Sequence, residues 1–196
     1  MTEWLIAGLG NPGREYELNR HNIGFLAVDQ LADKYGQGAE KSAFKGLVQS
    51  GSINGKAVLF LKPQTFMNLS GESVGAAMRF YKIPIENVIV LHDELDITAG
   101  TVKIKQGGGH AGHNGLKSID QHAGNNYWRM RLGIGHPGEK HRVTGHVLGN
   151  FTHDEMDWLE PMLLDLVDNF PLMLNGQSAQ LAKNFAAKSF TSPAAS

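Results

Sequence analysis

Apolar and polar residues alternate along this chain in blocks of two kinds, short runs with strand spacing and longer stretches with helical spacing. Trp4-Leu5-Ile6-Ala7 is a short apolar run closed by Gly8 and Gly10, which predicts a strand ending near Gly8. Helical spacing begins at Ile23 and continues through Leu26, Ala27, Gln30 and Leu31, with Asn22 placed to cap the helix through its side chain. Phe44 to Ser50 and Ala57 to Leu61 read as strands joined in a hairpin across Ile53-Asn54-Gly55-Lys56, since Asn-Gly suits the tight turn that antiparallel strands need. Ser70 as a cap, followed by Val74, Ala77, Met78 and Tyr81 on one face, predicts a second helix that stops before Pro84.

Val88-Ile89-Val90-Leu91 is the most apolar run and predicts a central strand covered on both sides, with His92-Asp93-Glu94-Leu95-Asp96 at its tip. Thr101 to Lys105 and Trp128 to Ile134 alternate as strands with one wet face, and a short helix is expected over Leu116 to Gln121 between them. Thr152 to Glu155 is a capping box for a helix carrying Met156, Leu159, Met162, Leu163 and Leu166 on one side. A last helix is expected over roughly 178–188, and residues 192–196 read as a flexible tail. Strands separated by helices, with one hairpin, predict an α/β fold: a single-domain three-layer sandwich over residues 1–191, its mixed sheet flanked by helices. Such sheets carry their sites in the loops at strand tips.

Composition narrows the chemistry. The 196 residues contain no cysteine, which excludes disulfides, thiolate metal sites and cysteine nucleophiles and fits a reducing compartment. No apolar run reaches bilayer length and no secretory segment opens the chain, so a cytoplasmic protein is expected. The formal net charge of -1 provides no global attraction to nucleic acid, so any polyanion site must come from local clusters of lysine and arginine.

Gly8-Leu9-Gly10-Asn11-Pro12-Gly13 satisfies the letter of the dinucleotide-binding G-x-G-x-x-G pattern. That pattern works when a helix opens within the glycine turn and an acid ends the next strand about 20 residues on. Here the helix opens too late, and Asp29 and Asp33 fall inside it. A dinucleotide is therefore not expected.

The tip loops hold a better candidate. Asp93, at the end of the most buried strand, is a carboxylate in a costly position that must cap backbone or hold a basic partner. Bonded to one ring nitrogen of His21, it would leave the other nitrogen as a base; without a G-x-S-x-G elbow, and with Ser70 assigned as a cap, the attacking species would be water. Asn11, Asn68 and Asn114 sit in three turn-rich loops, where a neutral amide can recognise a peptide group or stabilise an oxyanion as well as shape a turn. His110 and His113 with Asp93 and Asp96 could be metal ligands, although H-x-x-H without a third nearby ligand fits loop ordering better. Lys103 with Lys105, and Arg129 with Arg131, share strand faces that would form a phosphate-binding ridge if the two strands are neighbours.

Gly8 to Gly13 with Tyr16 and Arg20-His21-Asn22, then Thr65 to Gly71, then His92 to Asp96, then Gly107 to His110 with Gly112-His113-Asn114-Gly115 are four motifs that, in this order, resemble those of bacterial peptidyl-tRNA hydrolases. Asn19 and Ala111 depart from the family's usual threonine and glycine. The resemblance implies a cytoplasmic, monomeric esterase that cleaves the bond between a peptide and the terminal ribose of tRNA, with no cofactor and no metal, and with peptidyl-tRNA as its partner. His21 would be the base and Asp93 its orienter, with Asn11 favouring N-blocked esters. Tyr16, Phe66, Asn68 and Asn114 would bind substrate, Lys103, Lys105 and Arg131 would meet tRNA phosphates, and Met67 and His113 would support the site. A non-catalytic RNA-binding module and a nucleotide- or metal-dependent enzyme are the alternatives from other classes.

Overall fold

A computed structural model describes residues 1–191, and the tail expected at 192–196 lies outside them. The strands are β1 (Trp4–Gly8), β2 (Lys41–Ala43), β3 (Gly46–Ile53), β4 (Lys56–Pro63), β5 (Val88–Glu94), β6 (Val102–Gln106) and β7 (Trp128–Gly133). The helices are α1 (Ile23–Tyr35), α2 (Ser70–Tyr81), α3 (Asn114–Ala123), α4 (Val143–Val147), α5 (His153–Asn169), α6 (Pro171–Leu174) and α7 (Ser178–Ala186). The strands form one sheet in the order β2-β3-β4-β1-β5-β7-β6, parallel where β1 meets β4 and β5 and where β5 meets β7, and antiparallel toward each edge, in the hairpins of β2, β3 and β4 and where β6 meets β7 across α3.

Strand periodicity sorts the core into two layers. On one face Ile6, Ile89, Leu91, Met130 and Leu132 pack with Ala27 and Leu31 of α1 and Leu159, Met162 and Leu166 of α5. On the other, Leu5, Ala7, Leu59, Leu61 and Val90 pack with Val74 and Ala77 of α2 and Leu116 and Ile119 of α3. Val88 to Leu91 is fully buried, as its apolar run predicts, and the helices complete the three layers.

Several local expectations are corrected. Asn22 does not cap α1 with its side chain, which is drawn away to clamp the backbone of Asn11. Ser70 is already inside α2, its hydroxyl bonded to the Met67 carbonyl at 2.8 Å rather than to the helix N–H groups. Phe44 and Lys45 are not strand residues; they form a left-handed turn, φ 53° and 54°, between β2 and β3. The Asn54-Gly55 hairpin, with positive φ at both residues, and the Thr152–Glu155 capping box both form. Among the described residues, no helix is long and apolar enough to cross a membrane.

Two glycines allow the contact on which the site depends. A Cβ on Gly24 would lie 2.3 Å from the Leu91 carbonyl oxygen, and one on Gly8 would lie 2.1 Å from the Gly24 carbonyl oxygen. With neither present, the start of α1 sits directly against the tips of β1 and β5, and the turn just before α1, Arg20–Asn22, brings His21 to Asp93 near the end of β5.

Candidate active site

His21 lies in a single 3-10 turn, Arg20–Asn22, whose flanks are fastened on both sides. Asn22 accepts the Asn11 N–H and donates to the Asn11 carbonyl, both at 2.9 Å. Arg20 donates from Nε to Glu155 at 3.1 Å and from Nη1 to the His146 carbonyl at 3.0 Å, while the Asn19 amide donates to Asn150 at 2.7 Å. These bonds tie the turn to the loop after β1, to α4 and to the first turn of α5 with the segment ahead of it, and so limit how far the imidazole can wander.

Asp93, near the end of β5, is 3% exposed and accepts from two histidines. His21 Nδ1 lies 2.9 Å from each carboxylate oxygen, and His113 Nε2 lies 2.8 Å from Oδ1. Burial alone would push the Asp93 carboxyl up, but His21 and then His113 outweigh it and hold the group far below the ordinary carboxylate range. For His21, burial favours the neutral ring, yet the Asp93 charge and hydrogen bond prevail and leave its pKa raised above 6.5. An ionised carboxylate can only accept, so His21 Nδ1 carries the proton and Nε2 carries the lone pair.

His113 also caps α3, its Nδ1 accepting from the N–H of Gly115 at 3.1 Å and of Leu116 at 3.4 Å. It therefore joins the helix start to the carboxylate, a link for which the sequence reading had only loop ordering. His92 faces the core, where its Nδ1 donates to the Asp93 carbonyl at 2.8 Å. Complete burial, with His113 nearby, pushes its pKa down to about 3.

Five of the predicted site residues line one or the other of two hollows. His21, Asp93, His113 and Asn114 line a cleft of about 440 Å³ between the glycine loop and α4. Asn11 lines a neighbouring groove of about 430 Å³ with Arg14 and Lys62. Its Oδ1 accepts the Met67 N–H at 2.8 Å, which leaves its amide N–H groups as the unused end. Met67 is buried in turn against Gly115, where an added Cβ would stand 2.6 Å from the Met67 sulfur. Asn114 is exposed at the first turn of α3, Asn68 and Phe66 are exposed beside Met67, and Tyr16 is half-buried; the last three line neither hollow.

The basic edge forms in part. Strands β6 and β7 are neighbours, with Lys103 opposite Arg131 and Lys105 opposite Arg129. Lys103 and Lys105 are exposed and Arg131 is half-buried, its Nε 3.3 Å from Glu94. Arg129 is no part of a phosphate ridge. It is 2% exposed and donates to the carbonyls of Gly109 at 2.6 Å and Gly108 at 2.7 Å, anchoring the glycine loop.

Sequence reasoning missed the part of the cleft lining formed by His136, Lys140, Val143, Thr144 and Val147. The only local hint is the pair Val143 and Val147, one helical turn apart, and α4 is too short for periodicity to reveal. Among the described residues, neither His110 nor Asp96 joins a metal-like donor set, and the set found there is His21, Asp93 and His113, with donor atoms within 4.8 Å of one another. Its two nitrogens face the carboxylate at hydrogen-bond distance, so protons occupy the positions between the donors.

The sequence profile of the peptidyl-tRNA hydrolase family matches residues 5–193. The chain is 57% identical over 182 residues to the peptidyl-tRNA hydrolase of Rhodospirillum centenum, covering 93% of this chain and 80% of that one. It is 52% identical over 191 residues to the enzyme of the same name from Agrobacterium fabrum, covering 97% and 80%. A crystal structure of peptidyl-tRNA hydrolase from Acinetobacter baumannii superposes with a TM-score of 0.91 at 44% identity, covering 96% of this chain and 97% of that one.

Proposed function

The chain belongs to the peptidyl-tRNA hydrolase family and hydrolyses the ester bond of peptidyl-tRNA, and from that premise we propose that His21 is the general base for the attacking water and Asp93 its orienter. The observation that carries this reading is the bond from His21 Nδ1 to Asp93 at 2.9 Å, which turns the basic Nε2 away from the carboxylate. Water gives its proton to that nitrogen as its oxygen adds to the ester carbonyl. The tetrahedral intermediate then expels the ribose oxygen, which takes the proton back from His21. The products are tRNA with a free terminal hydroxyl and a peptide carboxylic acid, which gives its remaining proton to solvent and becomes a carboxylate. Such an ester is reactive already, so a positioned base and an oxyanion donor suffice.

The amide N–H groups of Asn11, fixed in direction because the Asn11 Oδ1 accepts from Met67, supply that donor. Met67 supports the arrangement through its backbone, and His113 supports Asp93. Asn68 and Asn114 bind peptide groups, and Tyr16 and Phe66 offer ring faces to the peptide or the terminal base. Lys103, Lys105 and Arg131 meet phosphates of the acceptor end, so recognition rests on the backbone and is indifferent to tRNA sequence. The enzyme acts as a monomer in the cytoplasm, without metal or cofactor, and returns to use the tRNA of peptidyl-tRNA released by ribosomes.

Incubation with N-acetyl-aminoacyl-tRNA tests the reading. Release of the blocked amino acid should persist in chelator and disappear in His21→Ala. Loss in chelator would move the chemistry to a metal held by the His21, Asp93 and His113 donors. Hydrolysis by His21→Ala at the native rate would remove the base.

A further inference from the structure

Three histidines around the cleft share one local sequence, a histidine with glycine two residues on: His110 with Gly112, His113 with Gly115 and His136 with Gly138. In each, the glycine N–H donates to the imidazole Nδ1, at 3.0, 3.1 and 3.0 Å respectively. An Nδ1 that accepts holds a lone pair, so the one proton of the neutral ring lies on Nε2. His21 has the opposite arrangement, with its proton on Nδ1 toward Asp93. The cleft therefore presents one basic nitrogen and three Nε2–H donors. His113 directs its donor to Asp93, whereas the Nε2 atoms of His110 and His136 have no partner among the described residues.

We propose that His110 and His136 are substrate-binding residues, whose Nε2–H groups donate to acceptor oxygens of the bound peptidyl-tRNA, and that the histidine-glycine turn fixes the tautomer that makes them donors. Two features favour this role. Gly112 and Gly138 have φ of +79° and +95°, so these turns suit glycine and strain other residues. In addition, both rings line the cleft that holds His21, His110 from the glycine loop and His136 from the segment ahead of Lys140, so a substrate bound against His21 lies in a hollow to which both contribute.

The kinetic part rests on the hydrolase reading, and the spectroscopic part does not. Imidazole nitrogen-proton correlation spectra of the ligand-free protein at neutral pH should show Nε2–H tautomers for His110, His113 and His136 and the Nδ1–H tautomer for His21. A proton on Nδ1 of His110 or His136 would overturn the proposal. Asparagine and glutamine then separate the turn from the donor. In His136→Asn the side-chain oxygen still accepts from Gly138 but the distal donor is gone, whereas His136→Gln restores a distal N–H and gives up the turn. For N-acetyl-aminoacyl-tRNA, His136→Asn should raise KM by about tenfold with kcat little changed. His136→Gln should recover most of that loss, and the same order should hold at His110. Because the donors are neutral, the effect should be equal at low and high salt. A harmless Asn and a damaging Gln would show that the histidines only shape the turns and would sink the proposal. Should the wild-type protein leave the ester intact, the hydrolase reading fails, and the same order of Asn and Gln is then required in tRNA binding measured by filter retention.

Discussion

Arg20 and Glu155 lie 135 positions apart in the chain, yet Arg20 Nε donates to Glu155 Oε2 at 3.1 Å while Glu155 Oε1 also accepts the Thr152 N–H that closes the capping box of α5. One carboxylate therefore fastens the start of α5 and the turn that carries His21. Glutamine can serve at this position of a capping box, so Glu155→Gln keeps the cap and weakens the pairing with Arg20. We expect a loss of about 1 kcal/mol in urea unfolding, with kcat falling several-fold and KM nearly constant. Single-turnover hydrolysis with saturating enzyme checks the split; a change confined to KM would mean that the pair does not position the base.

Asp93 and His21 supply a pH signature. The carboxylate raises the His21 pKa above 6.5 against the opposing effect of burial, and only the neutral imidazole can accept a proton from water. Wild-type kcat/KM should therefore rise with pH through an acid limb above 6.5. In Asp93→Asn the opposing burial acts without the carboxylate, so the limb should move to lower pH while the plateau falls by about 10²-fold or more. Rate profiles of both proteins decide the matter. A limb that stays in place would detach Asp93 from the base.

The parts of this site that the sequence makes legible are those encoded locally. The apolar run at Val88 to Leu91 announces a buried strand, and a carboxylate at its tip announces a partner. The identity of that partner comes from His21 lying in the loop after β1, the strand paired in parallel with β5. What stayed hidden depends on side chains whose partners are distant. Period-two spacing sets Arg129 and Arg131 on one face, but nothing local says that the carbonyls of Gly108 and Gly109 and the carboxylate of Asp120 turn the first of them inward. Asn22 likewise looks like a helix cap until Asn11, eleven positions earlier, claims both ends of its amide.

That division of the basic edge can be measured. Lys103 and Lys105 are exposed, so replacing both with alanine should weaken tRNA binding and flatten the slope of log K against log salt by roughly 1 to 2, as expected for lost phosphate contacts. Arg129→Ala should leave the salt slope unchanged. It should lower stability by about 3 kcal/mol, because Asp120 and two loop carbonyls lose a buried partner. Salt titrations of binding together with urea unfolding separate the two outcomes. A steeply altered slope in Arg129→Ala would return that residue to the RNA footprint.

His92 and His21 pull acid stability in opposite directions, which places the optimum near neutrality. His92 is held neutral in the core with its pKa down to about 3, so the unfolded chain takes up a proton there more readily than the folded one. Its contribution is fully present above the unfolded value of 6.5 and is lost as pH falls toward 3, up to roughly 4 kcal/mol. His21, with its folded value raised, adds stability that is complete below 6.5 and disappears as pH rises through that folded value. Asp93, held low by its two histidines, contributes stability that is complete above the ordinary carboxylate range and is lost progressively as pH falls through that range and below it. Urea unfolding followed from pH 8 to pH 4 should therefore show a maximum near the ordinary histidine value, with a steep acid side. In His92→Gln the overall stability should drop, since the packing is disturbed, but the slope between pH 6.5 and 4 should become shallower by about one proton. An unchanged acid slope in that variant would assign the proton uptake to a residue other than His92.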